Sequence, residues 1–144
     1  MGDFNARVGV DYNSWENVLG QHGVGRENAN GTRLLSLCAQ HGLIITNTLF
    51  QQADRFKVTW MHPGSKRWHL IDYVITRQRD VKDVNHTRAM CGSRTWSDHR
   101  LVKCKLNLHA KVPRHTRRQK SSKKLDTDKL KSAECQETLA TSLS

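Results

Sequence analysis

A mixed helix-and-strand fold, α/β (α+β) in class, is what this sequence predicts, and three observations carry the prediction. Residues 32–41 repeat apolar side chains at helical spacing. The runs 57–61, 70–76 and 101–108 are β-branched, aromatic or alternating, as strands are. The stretches between them hold the Asn, Gly, Pro and Ser that turns use. A hydrophobic content of 36% is low for 144 residues, so one modest core is expected rather than two.

The helix is placed at 32–41, where Leu34, Leu37, Cys38 and His41 recur at i, i+3, i+4 and i+7 and Gly42 follows the last turn. Asn30, Gly31 and Thr32 ahead of it offer cap and turn chemistry, and residues 43–46 behind it read as a short buried strand. Residues 57–61 and 70–76 flank the turn formers Pro63, Gly64 and Ser65 and predict a hairpin pair. A more polar stretch at 81–89 fits an edge strand. At 101–108 the alternation puts Val102, Cys104, Leu106 and Leu108 on one face and Lys103, Lys105 and Asn107 on the other.

Cys38, Cys91, Cys104 and Cys135 form no C-x-x-C pair, so they read as reduced, structural thiols. The sequence has no apolar run of 18 residues and no basic-then-apolar leader at its start, which predicts an intracellular protein with no membrane partner. Neither G-x-x-x-x-G-K-[ST] nor G-x-G-x-x-G occurs, so no nucleotide cofactor is expected.

The formal charge of +11 is unevenly held. Residues 100–131 carry 12 Lys and Arg against two Asp, whereas residues 1–99 carry 12 against nine acidic side chains. The expected organisation is therefore a domain over 1–108 and a basic linker or tail over 109–144, with a short helix at 128–139. Arg114, Arg117, Arg118, Lys120, Lys123 and Lys124 fit either a solvated tail or an arm that meets nucleic-acid phosphates.

Polar residues mark the candidate site. Asp72 lies in the apolar run Leu70-Ile71-Asp72-Tyr73-Val74-Ile75, where an unpaired carboxylate is costly, so it needs a partner. A histidine is the natural one, because a carboxylate on one ring nitrogen fixes the tautomer and the imidazolium can then stabilise charge on a phosphoryl oxygen. His99 is the candidate. Asp3 and Asn5, near the start, suit a turn as well as a site.

In order, Gly2-Asp3-Phe4-Asn5, Thr59-Trp60, the Arg67 to Tyr73 run Arg-Trp-His-Leu-Ile-Asp-Tyr, and Ser97-Asp98-His99 resemble the motifs of the carboxyl-terminal half of the endonuclease/exonuclease/phosphatase superfamily. The wording between them is similar to the endonuclease part of RTE/BovB-type non-LTR retrotransposons. The resemblance covers residues 1 to about 108. It implies a partial two-layer β-sandwich of the DNase I-like type, with the family's N-terminal half absent.

What it implies for function is Mg²⁺-dependent hydrolysis of DNA phosphodiesters by a truncated, retrotransposon-derived domain, and hence a nuclear setting. Asp3 would orient or deprotonate the attacking water and Asn5 would hold a phosphate oxygen. His99, oriented by Asp72, would stabilise the charged phosphorane, and Asp98 would help bind Mg²⁺. Thr59, Arg67 and Trp68 would face the DNA, although Trp68 also suits core packing in a hairpin. The family's metal-ligating glutamate belongs to the N-terminal half, so the resemblance implies a chain inactive or weakly active alone. That half and a reverse transcriptase are the expected partners within the parent protein. Two further readings stay open: a non-catalytic nucleic-acid-binding remnant that uses the basic tail, and a partial gene model.

Overall fold

Asn28 decides where the helix begins. Its side-chain oxygen accepts from the Gly31 N–H at 2.8 Å and the Arg7 N–H at 2.9 Å, capping the first turn and tying it to the segment after Asn5. Helix α1 therefore runs Ala29–Gln40, and Asn30, Gly31 and Thr32, expected ahead of the helix, lie in its first turn. Gly31 is glycine for lack of room: a Cβ there would come within 1.8 Å of the Arg7 carbonyl oxygen. The buried stripe is Gly31, Leu34, Leu35 and Cys38. Leu37, placed on the apolar face by its spacing, is 48% exposed, and His41 is exposed too. Both stripes obey i, i+3, i+4, i+7 and share Leu34 and Cys38. The close approach of Gly31 to the Arg7 backbone selects between them.

The computed structural model describes residues 1–92 and 97–108, together with Ser142. All but the last belong to one unit, Met1–His109. The expected helix at 128–139 and the tail cations Arg114, Arg117, Arg118, Lys120, Lys123 and Lys124 lie outside the described residues. Among the described residues no helix is long and apolar enough to cross a membrane.

Around α1 the chain forms a mixed fold of small antiparallel sheets, each a pair of strands. β1 (Gly2–Asp3) pairs with β5 (Asp72–Tyr73), β2 (Leu43–Ile45) with β6 (Ile75–Arg77), β3 (Trp60–Met61) with β4 (Trp68–His69), and β7 (Val84–Ala89) with β8 (Val102–Leu106). The hairpin at Pro63 thus closes on Trp68 and His69, not on the 70–76 run. That run is divided instead, its first half bonded to the chain start and its second to β2. Residues 81–83, expected in an edge strand, belong to the 3-10 turn Gln78–Asp83 that precedes β7.

The core is built from Val8, Val18, Leu19, Leu34, Leu35, Cys38, Ile45, Leu70 and Tyr73. Burial pushes the Cys38 thiol above its ordinary value, which suits an inert packed sulfur. The alternation in β8 is only half used. Cys104 faces inward, with the Thr87 hydroxyl donating to its sulfur at 3.3 Å, while Leu106 is 46% exposed.

Candidate functional site

Register assembles the site. The β1–β5 pairing sets Asp3 directly opposite Asp72, and the Phe4 N–H continues the ladder to the Ile71 carbonyl at 3.1 Å. Asn5 follows with φ of +47°, in the left-handed region that Asn tolerates, and its N–H donates to Asp3 Oδ1 at 2.9 Å. This local bond orients the Asp3 carboxylate. The segment carrying Ser97, Asp98 and His99 is attached to the other side of the site. Met61 N–H donates to the Asp98 carbonyl at 3.2 Å, Arg100 N–H to the Thr59 carbonyl at 2.6 Å, and Trp60 forms a bridge with His99.

His99 then lies between two carboxylates. Its Nδ1 donates to Asp72 Oδ2 across 3.1 Å, and its Nε2 stands 4.0 Å from Asp3 Oδ2. A carboxylate can only accept, so the Asp72 bond fixes Nδ1 as the protonated nitrogen and turns Nε2 toward Asp3. Ligand atoms of Asp3, Asp72 and His99 all lie within 4.8 Å of one another, close enough to share a cation or an anionic substrate through one.

Supporting bonds hold the Asp72 backbone. The Thr59 hydroxyl accepts from the Ile71 and Asp72 N–H groups, each at 3.1 Å. The Asn47 amide donates to the Asp72 carbonyl at 3.2 Å and accepts from Val74 N–H at 2.8 Å. Beneath them, the Tyr73 hydroxyl lies 2.8 Å from the Leu70 carbonyl and 3.0 Å from that of Ala6, and accepts from Val8 N–H at 3.3 Å. Burial pushes that phenol far above its ordinary value, so it is a permanent hydroxyl.

The expected site residues divide into three groups. Asp3, Asp72 and His99 converge, with Asn5 beside them at the edge of a cleft of about 240 Å³ that Arg7, Trp60, His62 and His69 also line. Asp98, expected to bind metal, is not among the three residues whose ligand atoms converge. Its carboxylate accepts from Trp60 Nε1 at 2.7 Å, and that bond holds its pKa below the ordinary carboxylate range. Thr59, expected to face DNA, is completely buried and serves the backbone of Asp72. Arg67 is exposed, and Trp68 is 36% exposed with the Arg100 guanidinium 3.5 Å from its ring centre, which places it outside the core.

Sequence reasoning missed Trp60 as the holder of Asp98, Asn47 as a clasp on Asp72, and the lining of the cleft by Arg7, His62 and His69. Burial, with Arg7, His62 and Arg67 nearby, lowers the basicity of His69. His62 accepts at Nδ1 from the N–H groups of Gly64 and Ser65, which leaves Nε2 as its donor nitrogen.

Two curated proteins are similar in sequence to this chain. Craniofacial development protein 2 of Bos taurus is 39% identical over 118 residues, and that of Tragulus javanicus is 38% identical over 118 residues. Each match covers 81% of this chain and 20% of the relative, so the chain spans about a fifth of the length of the curated relatives it matches. No protein-family model and no solved structure matches it.

Proposed function

We propose that the chain carries the histidine–aspartate part of a metal-assisted phosphodiesterase site acting on DNA, set on the C-terminal half of a DNase I-like two-layer sandwich of retrotransposon-endonuclease descent. The observation that supports this most is the convergence of Asp3, Asp72 and His99 from separate chain segments, with the Asp72–His99 contact at 3.1 Å. A half-buried pairing of this kind, next to a cleft lined by Arg7 and two histidines, suits an anion that gains charge during reaction.

The proposed roles draw on this geometry. Asp3, held by the Asn5 N–H, orients the attacking water or takes its proton. The exposed Asn5 amide donates to a phosphate oxygen at the mouth of the cleft. His99, in its protonated form, steadies the phosphorane from Nε2 while Asp72 keeps the ring in place through Nδ1. Asp98 acts through Trp60, fixing the segment that carries His99. Arg67 and Trp68 line the approach of the duplex.

Magnesium is held by one or two carboxylates with water and phosphate oxygens, and Asp3 and Asp72 offer that pair. Bound there, it would screen the phosphate and acidify a water. The proposed setting is the nucleus, within a parent protein that also holds a reverse transcriptase.

The test is nicking of supercoiled plasmid DNA by the chain at micromolar concentration with Mg²⁺. Weak nicking is expected, and His99→Ala should lower it by on the order of 10²-fold or more. Nicking that His99→Ala leaves unchanged would overturn the assignment. Duplex binding in EDTA with no nicking at any Mg²⁺ concentration would favour a second reading, a non-catalytic nucleic-acid-binding remnant. The 12 Lys and Arg against two Asp in residues 100–131 support that alternative.

A further inference from the structure

Outside the site just described, the outer face of the β7–β8 pair gathers positive charge in an ordered row. Register sets Arg88 opposite Lys103 and His86 opposite Lys105, all on the face away from the buried Thr87 and Ala89. Like charges directly across an antiparallel pair repel, so the fold bears a cost here that an anion would remove. Among the described residues, no ion pair with an acidic group involves Arg88, Lys103 or Lys105. The face is also concave: His86, Arg88, Met90, Lys103 and Lys105 line a groove of about 280 Å³, with no acidic residue among the described residues of its wall.

Two aromatic rings are interleaved with these cations. The Arg88 guanidinium stands 4.2 Å and that of Arg55 4.7 Å from the centre of the Phe56 ring, and Phe50 lies against His86 with ring centres 5.1 Å apart. Stacking on Phe56 pins the Arg88 side chain, so less freedom is lost when it meets a phosphate. Its Nε is buried and has no hydrogen-bond acceptor.

We propose that this groove is a second nucleic-acid contact, in which Arg88, Lys103 and Lys105 take successive phosphates of a duplex backbone. The inference rests on the reading that the chain acts on DNA, and extends it to a surface separate from Asp3, Asp72 and His99. A phosphodiester backbone is taken as the occupant, rather than an acidic peptide, because the same chain is read as acting on DNA. The contact is sequence-independent and salt-sensitive, so it would hold the duplex in place without selecting a target.

The experiment uses the full chain in EDTA, with binding of a 20-base-pair duplex followed by fluorescence anisotropy across a salt series. Replacing both exposed lysines (Lys103→Gln with Lys105→Gln) should lower the log–log salt slope by about 2 and weaken binding roughly tenfold or more at 0.1 M salt. The paired change to arginine (Lys103→Arg with Lys105→Arg) should keep both slope and affinity, which separates lost charge from a damaged fold. An unchanged slope in the glutamine variant would overturn the proposal. So would polyglutamate competing with the duplex as well as unlabelled DNA does. Leu37→Gln, on the exposed side of α1 and outside both surfaces, should bind like the unmodified chain. If no preparation nicks plasmid DNA but the lysine variant still loses slope, the catalytic reading fails and this one stands.

Discussion

The helix corner and the site corner of this domain are held together by different physics. Around α1, apolar side chains do the work: Leu34, Leu35 and Cys38 pack onto Ile45, Val18 and Leu19. Around Asp72, strands of two or three residues carry too few ladder bonds to set their own register, and buried side chains bond to their backbone instead. Thr59 satisfies two N–H groups, Asn47 clasps a carbonyl and an N–H on either side of Tyr73, and the Tyr73 hydroxyl gathers three backbone groups. Packing tolerates volume-conserving change, whereas a satisfied polar network fails when one partner is removed. The helix corner should therefore respond to lost volume, and the site corner to lost hydrogen bonds at constant volume.

The largest effect is expected where volume is lost at the centre of the first corner. Leu35 is fully buried, and Leu35→Ala should destabilise the chain by about 2–5 kcal/mol, read as a lower urea midpoint. Leu35→Met, which keeps volume, should cost under about 1.5 kcal/mol. Equal losses for the two would break the contrast.

Next in size is a change at the site corner that keeps shape. Thr59→Val removes the one hydroxyl that the Ile71 and Asp72 N–H groups share, a loss that should cost about 1–3 kcal/mol in all. Because those N–H groups fix Asp72, the variant should also loosen the Asp72–His99 contact, visible as a shifted His99 ring resonance in NMR. Stability and resonance both unchanged would show that the network is dispensable.

The two corners also differ in how much of them was legible in the sequence. Asp72 could be singled out because a carboxylate in an apolar run demands a partner, and the structure supplies His99. Thr59, expected on a DNA-facing loop, lies buried against the Asp72 backbone, and a Thr-Trp pair carries no signal that separates a hydroxyl turned inward to backbone from one turned outward. Arg7, His62 and His69 carried no local signal either, since the cleft they line exists only once β3, β4 and the segment after β1 are brought together. The pairing of β5 with β1 was equally out of reach, because two-residue strands have no alternation to read.

A smaller effect separates the corners by pH. His69 is less basic in the folded chain than the ordinary value of 6.5, because of burial first and nearby positive charge second. The unfolded chain then binds the proton more readily, so stability is complete above that value and falls as pH drops through it. Urea midpoints at pH 7.5 and 5.5 should differ more for the unmodified chain than for His69→Gln. A midpoint difference that the variant leaves intact would assign the acid sensitivity to other groups.

The smallest expected effect is the one that checks the helix phase. Leu37 and Leu35 both satisfy helical spacing with Leu34 and Cys38, and propensity does not distinguish them, since both are leucine. The tie is broken by Gly31, whose missing side chain lets the first turn rest on the Arg7 carbonyl, and that contact rotates Leu37 outward to 48% exposure. Leu37→Gln should accordingly stay within about 0.5 kcal/mol of the unmodified chain, the range of an ordinary surface change. A loss comparable to that of Leu35→Ala would mean the helix buries the stripe that includes Leu37 and His41. Gly31 would then have no reason to be glycine, and Gly31→Ala should be tolerated.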